Sequence, residues 1–200
     1  MSQPINPHIR DLIRARLEES ARVQRAVADQ AADDVAAAVQ TIVDAFRSGH
    51  KLLLCGNGGS AADAQHVAGE LVGRYLRERR PLPAIALTAD TAVLTAIGND
   101  YGFDRVFARQ VEALAQPGDV LVAISTSGNS PDVLAAVEAA RNLGAKTIGL
   151  TGETGGKLAT LVDLCFRAPS AETPRIQEAH IAVAHVICEL VEAELVAGQV

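Results

Sequence analysis

A chain of 200 residues, 48% hydrophobic and 21% charged with no low-complexity tract, carries enough apolar material for one substantial core, which excludes a disordered segment. Its net charge of −6, from 18 Lys and Arg against 24 Asp and Glu, and its aromatic content of 3% argue against a nucleic-acid surface. Three cysteines, Cys55, Cys165 and Cys188, lie far apart with no CxxC pair, so neither a disulfide framework nor a thiolate zinc site is indicated.

The opening stretch, MSQPINPHIRDLIRARLEES, is charged and lacks the apolar core of a signal peptide. No run approaches the ~20 apolar residues of a membrane span, and a cytoplasmic protein is expected. From Pro7 to about Ser48, Ile9, Leu12, Ile13, Leu17, Val23, Val27, Val35, Val39, Ile42, Val43 and Phe46 recur at helical spacing. That pattern predicts one long helix or two in series. Its apolar surface serves either a subunit contact or a fold back onto the same domain.

Five short apolar runs follow, at Lys51 to Cys55, Ala84 to Leu87, Val120 to Ile124, Thr147 to Leu150 and Leu164 to Phe166. Helical patterns separate them, near Ser60 to Tyr75, Thr91 to Ile97, Phe103 to Ala115, Pro131 to Leu143 and Gly156 to Leu161, with a last one at Pro174 to Val196. This alternation predicts a doubly wound α/β fold on a five-stranded parallel sheet, with long helices at both ends. The whole chain, 1–200, reads as one domain, with residues 8–48 as an N-terminal helical extension. The arginine-rich run Arg74 to Arg80 reads as a solvated helix end. Ligands of such folds bind beyond the carboxyl ends of the strands.

Two strand-to-helix junctions are chemically loaded. In LLLCGNGGSAADAQH, Gly56, Gly58 and Gly59 allow close backbone approach and Ser60 suits a helix cap, although an ordinary tight turn fits as well. In VLVAISTSGNSPDVLAAV, Ser125, Thr126, Ser127 and Ser130 surround Gly128 and Asn129, and Pro131 suits the first helical position. A cap needs one hydroxyl. Four hydroxyls within six residues, beside a helix N-terminus, predict an uncharged cradle for a phosphate dianion. The first loop has no P-loop lysine and no GxGxxG, so a nucleotide site is not expected. Asn99 and Asp100, in TAIGNDYGFDRVF, are either turn residues or substrate contacts.

His66 and Glu70 stand four apart and share a helix face, either as a surface pair or as ligands to one metal or substrate. In RIQEAHIAVAHVICELVE, His180 and His185 point about 140° apart around the helix, so at most one faces a given site. His185 lies in an apolar run and is either a buried core histidine or a site residue. Gln177 and His185 are separated by ~12 Å of helical rise, too far for one ion to bind both, so a neighbouring chain is expected to complete the site.

At CGNGGSAADAQHVAGEL, AIGNDYGFDRVF, ISTSGNSPDVL and RIQEAHIAVAHVICEL, the chain closely resembles the phosphoheptose isomerases of the sugar isomerase (SIS) fold family. The resemblance implies a homotetramer converting sedoheptulose 7-phosphate to D-glycero-D-manno-heptose 7-phosphate, with one Zn2+ per subunit. By position, substrate contacts fall on Asn57, Gly58, Gly59, Asn99, Asp100, Ser125, Thr126, Ser127 and Ser130, together with Glu70 and Gln177. The implied catalytic pair is Glu70 and His185. The implied zinc set is His66, Glu70, Gln177 and His185. A non-catalytic relative, a sugar-phosphate-binding or DnaA-binding regulator, shares the fold and much of both loops but lacks that Glu and the final His; both are present here.

Overall fold

A computed structural model describes residues 7–197. The first helical run is two helices in series, α1 Pro7–Gln30 and α2 Ala32–Arg47, meeting at the buried Ala31. They differ in what they bury. On α1, Ile9, Leu12, Ile13 and Leu17 stand exposed and only Val23 and Val27 are buried, whereas α2 buries Val35, Val39, Ile42, Val43 and Phe46. The second helix is therefore part of the main core, and the first half of α1 projects from it.

The strands are β1 Leu52–Gly56, β2 Ala84–Ala86, β3 Val120–Ile124, β4 Lys146–Thr151 and β5 Leu164–Arg167, in the order β2-β1-β3-β4-β5 and parallel throughout. The remaining helices are α3 Gly59–Val72, α4 Thr91–Tyr101, α5 Ala108–Leu114, α6 Pro131–Asn142, α7 Leu158–Leu161 and α8 Thr173–Ala197. Every residue of β1 and β3 is buried, as continuous apolar strands are when helices cover both faces of a parallel sheet. Leu52 and Leu54 pack toward α2, α3 and α8. Leu53 and Cys55 pack on the opposite side, toward α5 and α6. No helix among the described residues is long and apolar enough to cross a membrane.

Four expectations need correction. The helix after the first loop stops at Val72, not Tyr75. Arg74 to Arg80 is therefore not a helix end; Arg74, Arg77 and Arg80 are exposed as expected, but the Arg79 side chain is 2% exposed and pairs with Glu192. The helix begun at Thr91 runs on to Tyr101, so Asn99 and Asp100 lie in its last turn; Gly102, at φ 86°, ends it. Ser60 is no cap. Helix α3 starts one residue earlier behind Gly58, which leaves Ser60 buried inside the first turn with its N–H donating to Asn57 O.

Candidate active site

In this strand order the chain winds outward in opposite directions from β1 and β3, which opens a crevice beyond their carboxyl ends. Both loaded loops flank it, since Gly56 pairs in register with Ile124. Gly58 adopts φ 56°, a conformation that L side chains rarely take. Gly59 lies under Gln177, whose Nε2 would be 2.5 Å from any Cβ placed there. The two loops are bonded to each other: Asn57 Nδ2 donates to both carboxylate oxygens of Asp132, at 3.0 and 2.8 Å. Asp132 is buried in the first turn of α6. Hydrogen bonds to a charged group are worth about 1.5–3 kcal/mol each, so Asn57 is fixed.

The serine loop is organised from within. The Ser125 and Ser130 hydroxyls lie 3.0 Å apart, and the Gly128 N–H donates to Ser125 O. Ser127 Oγ accepts the Asn129 N–H, and Asn129 returns a bond from its amide to Ser127 O. Asn129 Oδ1 then accepts the Lys157 N–H from the turn ahead of α7. Gly128 has φ 64°, and a Cβ there would stand 2.1 Å from Gly155 O, so no other residue fits. Pro131 is the first helical residue, as expected, but Ser130 makes no capping bond with its side chain, which faces Ser125. A cleft of about 340 Å³ opens beside Thr126, Ser127 and Asn129, bounded by Gly152 to Thr154 and by Ser170 to Thr173.

The second cluster lies along the seam where α8 packs on α3. His66 Nε2 is 3.1 Å from Glu70 Oε1 and 3.0 Å from His185 Nε2. One ligand atom from each of the three lies within 4.8 Å of the others. All three belong to the same chain, so no neighbour is needed to bring Glu70 to His185. Gln177 is elsewhere, over Gly59 and two helical turns from His185. His180 faces the other way, fully buried, with Nε2 3.0 Å from Thr151 O. Since a carbonyl only accepts, Nε2 carries the proton, and Nδ1 has no hydrogen-bond partner. Burial drives its pKa down to about 4, against the Thr151 bond that favours the proton. Asn99 and Asp100 are exposed at the end of α4, where Asn99 Nδ2 donates to Asp100 Oδ1.

The cluster suits a metal. At Zn–N and Zn–O bonds of about 2.0–2.1 Å, donor atoms on adjacent tetrahedral corners lie roughly 3.3 Å apart, close to the 3.0 and 3.1 Å separations found. Beside it is Asp63, raised by burial against the opposing pull of His66 and His185, with one buried oxygen that has no hydrogen-bond partner. Three side chains that matter here were not read from the sequence: Asp132, which holds Asn57, and the pair Arg79 and Glu192. Asp132 offered a signal, a carboxylate in the turn after a proline-led helix start. Arg79 and Glu192 offered none, being 113 positions apart.

Comparison with known proteins agrees with this architecture. The SIS domain family model matches residues 17–152. A phosphoheptose isomerase of Roseiflexus sp. (strain RS-1) is 59% identical over 179 residues, covering 90% of this chain and 91% of the relative. That of Aquifex aeolicus is 57% identical over 174 residues, covering 87% and 91%. Among solved structures, the phosphoheptose isomerase of Neisseria gonorrhoeae superposes with a TM-score of 0.88 at 44% identity, over 92% of this chain and 99% of that one. With this fold and this likeness over most of its length, the chain belongs to the SIS-domain family of phosphoheptose isomerases.

Proposed function

We propose that the protein interconverts sedoheptulose 7-phosphate and D-glycero-D-manno-heptose 7-phosphate through a cis-enediol, in the cytoplasm. The observation that carries this reading is the meeting of one carboxylate with two imidazoles within 4.8 Å. Aldose–ketose exchange removes a proton from the carbon beside a carbonyl and returns one to the carbonyl carbon. Glu70 serves as the carbon base, taking the proton from C1 of the open-chain ketose and delivering it to C2. His185 moves the second proton from O1 to O2, a task suited to imidazole near neutral pH. The 7-phosphate rests on the hydroxyls of Ser125, Thr126, Ser127 and Ser130 and on backbone N–H groups at the start of α6. Asn57, Gly58 and Gly59 line the facing loop, and Asn99 and Asp100 are further candidates for the sugar hydroxyls.

His66, Glu70 and His185 are the residues of one chain that would hold a zinc ion, one per subunit. Bound there, zinc supplies Lewis-acid polarisation of the substrate oxygens. As a ligand, Glu70 would be a weaker base.

Distance argues that the site is shared between chains of a homotetramer. Gly59 and Glu70 are separated by about 16 Å of helical rise, whereas C2 and the phosphorus of an extended heptose 7-phosphate, seven bonds apart, span roughly 8–9 Å at ~1.2 Å per bond. A glutamate side chain recovers only a few ångströms of that gap. The phosphate cradle of one chain therefore works with the Glu70 and His185 of another, and a partner's copy of Gln177 completes the metal set. The exposed apolar half of α1 supplies surface for such packing.

The first experiment is direct: incubate the protein with sedoheptulose 7-phosphate and assay aldose phosphate. Binding without conversion would make it a sugar-phosphate-binding regulator instead. The second mixes the inactive Glu70→Gln protein with Ser125→Ala/Ser127→Ala, under conditions of proven subunit exchange and at a substrate concentration far below the raised KM of the serine variant, where neither protein alone turns over appreciably. With shared sites, a site pairing the intact cradle of one variant with the intact Glu70 of the other regains activity. No recovery would place cradle and base in one chain.

A further inference from the structure

We infer that Arg79 and Glu192 are positioning residues for the His66–Glu70–His185 cluster, holding the end of α3 and the loop after it in a fixed relation to α8. The inference deepens the isomerase reading and rests on it for its kinetic part.

The pair is the most deeply buried ionic contact among the described residues, with the two side chains 2% and 1% exposed and Arg79 Nε 3.0 Å from Glu192 Oε1. It is an ion pair without an aligned hydrogen bond at Nε, so both groups direct their hydrogen bonds to backbone. Arg79 Nη2 donates to the carbonyl of Glu70 itself at 2.9 Å, and Nη1 to those of Leu71 at 2.8 Å, Arg80 at 3.1 Å and Gly73 at 3.3 Å. The last carbonyls of a helix have no partner within it. One guanidinium thus closes the final turn of α3, the turn that carries Glu70.

Glu192 works on the other side. Its Oε1 accepts the Tyr75 N–H at 2.9 Å, and its Oε2 accepts those of Leu76 and Arg77, both at 2.7 Å. Burial alone would raise this carboxyl, but the three backbone bonds and the Arg79 charge outweigh it and hold it below its ordinary value. The loop folded on Glu192 brings the Tyr75 ring centroid within 6.0 Å of that of His185. Along α8, His185, Cys188 and Glu192 stand at i, i+3 and i+7, one stripe facing α3. Arg79 therefore fixes the Glu70 turn, Glu192 fixes the His185 helix, and the ion pair couples them.

Buried ion pairs contribute little net stability against an apolar pair of similar volume, so stability alone does not account for one here. Geometry does, because proton transfer is sensitive to displacements of about 1 Å. The deciding protein is the double variant Arg79→Met/Glu192→Leu, which removes both charges together. It is expected to fold, with kcat reduced at least tenfold and KM for sedoheptulose 7-phosphate within threefold of wild type. The imidazole 15N–1H NMR signals of His66 and His185 are expected to shift, a readout that needs no turnover and tests the positioning role even if the chain is no isomerase. Unchanged imidazole signals and wild-type kcat in the folded variant would overturn the inference. If the double variant does not fold, Arg79→Lys decides in its place: the charge remains but the fork across four carbonyls is lost. The same losses support the inference there, and wild-type values refute it.

Discussion

The serine loop takes its shape largely from hydrogen bonds among six consecutive residues, steadied by the turn ahead of α7, whereas the His66–Glu70–His185 cluster depends on side chains 119 positions apart meeting across two helices. The loop is uncharged and relies on Gly128 at positive φ. The cluster is ionisable and leans on a buried ion pair that joins the loop beyond α3 to α8 two turns past His185. Local construction suits a phosphate, whose dianion is matched by hydroxyls and N–H groups that a tight turn presents by itself. Proton transfer needs groups whose spacing is set to fractions of an ångström, and here that spacing is set by helix packing. Damage to the loop should therefore appear in substrate affinity, and damage to the seam in turnover.

The largest effect should follow Glu70→Gln. The substitution keeps size and polarity and removes the base, so kcat should fall by roughly 10²–10⁴-fold with KM little changed. Near-native turnover would move Glu70 from proton transfer to a supporting role. A smaller effect, in the other parameter, is expected from Ser125→Ala with Ser127→Ala. Losing hydroxyls that bond a charged phosphate costs about 1.5 kcal/mol or more each, so KM should rise by one to two orders of magnitude while kcat changes less. Were kcat to fall and KM to hold, loop and seam could not be separated as proposed.

The same contrast explains what was legible in the sequence. Five apolar runs with helical patterns between them specified the sheet to within a residue or two at each strand end, because period and turn residues are local signals. The serine loop was legible for the same reason. His185 was legible only through the family resemblance: its apolar surroundings read equally as a buried core position, and the packing of α8 on α3 is what brings it to His66. Likewise Arg79 sits in a run of arginines that looks solvated, and its burial depends on a carboxylate far along the chain. Asn99 and Asp100 were placed beyond α4 because Gly98, Asn99 and Asp100 look like a helix stop, whereas the chain stays helical to Tyr101 and turns only at Gly102.

His180 lies between the two regions, since it stands on the helix of the cluster yet bonds Thr151, at the end of the strand that leads into the cleft beside the serine loop. Its contribution to stability should be the smallest effect and the most selective in pH. Buried and neutral, it has a folded pKa of about 4 against 6.5 unfolded, burial being the main cause. Between those values the unfolded chain takes up a proton that the folded chain refuses. Stability is therefore fully present above pH 6.5 and declines as pH falls toward 4. From pH 7 to pH 4.5 the loss is about 2–3 kcal/mol by proton linkage, which lowers the melting temperature by roughly 5–10 °C in a domain of this size. Burial opposes ionisation of Asp119 and Glu192 as well, but their bonds outweigh it and hold both carboxyls below their ordinary values, so their contributions fade mainly at lower pH. Thermal melts of the wild type and of His180→Gln at pH 7, 5.5 and 4.5 isolate the imidazole. The variant should start less stable and lose less on acidification, because it has no ring to protonate. Parallel slopes for the two proteins would mean that a group other than His180 governs the acid side of the stability curve.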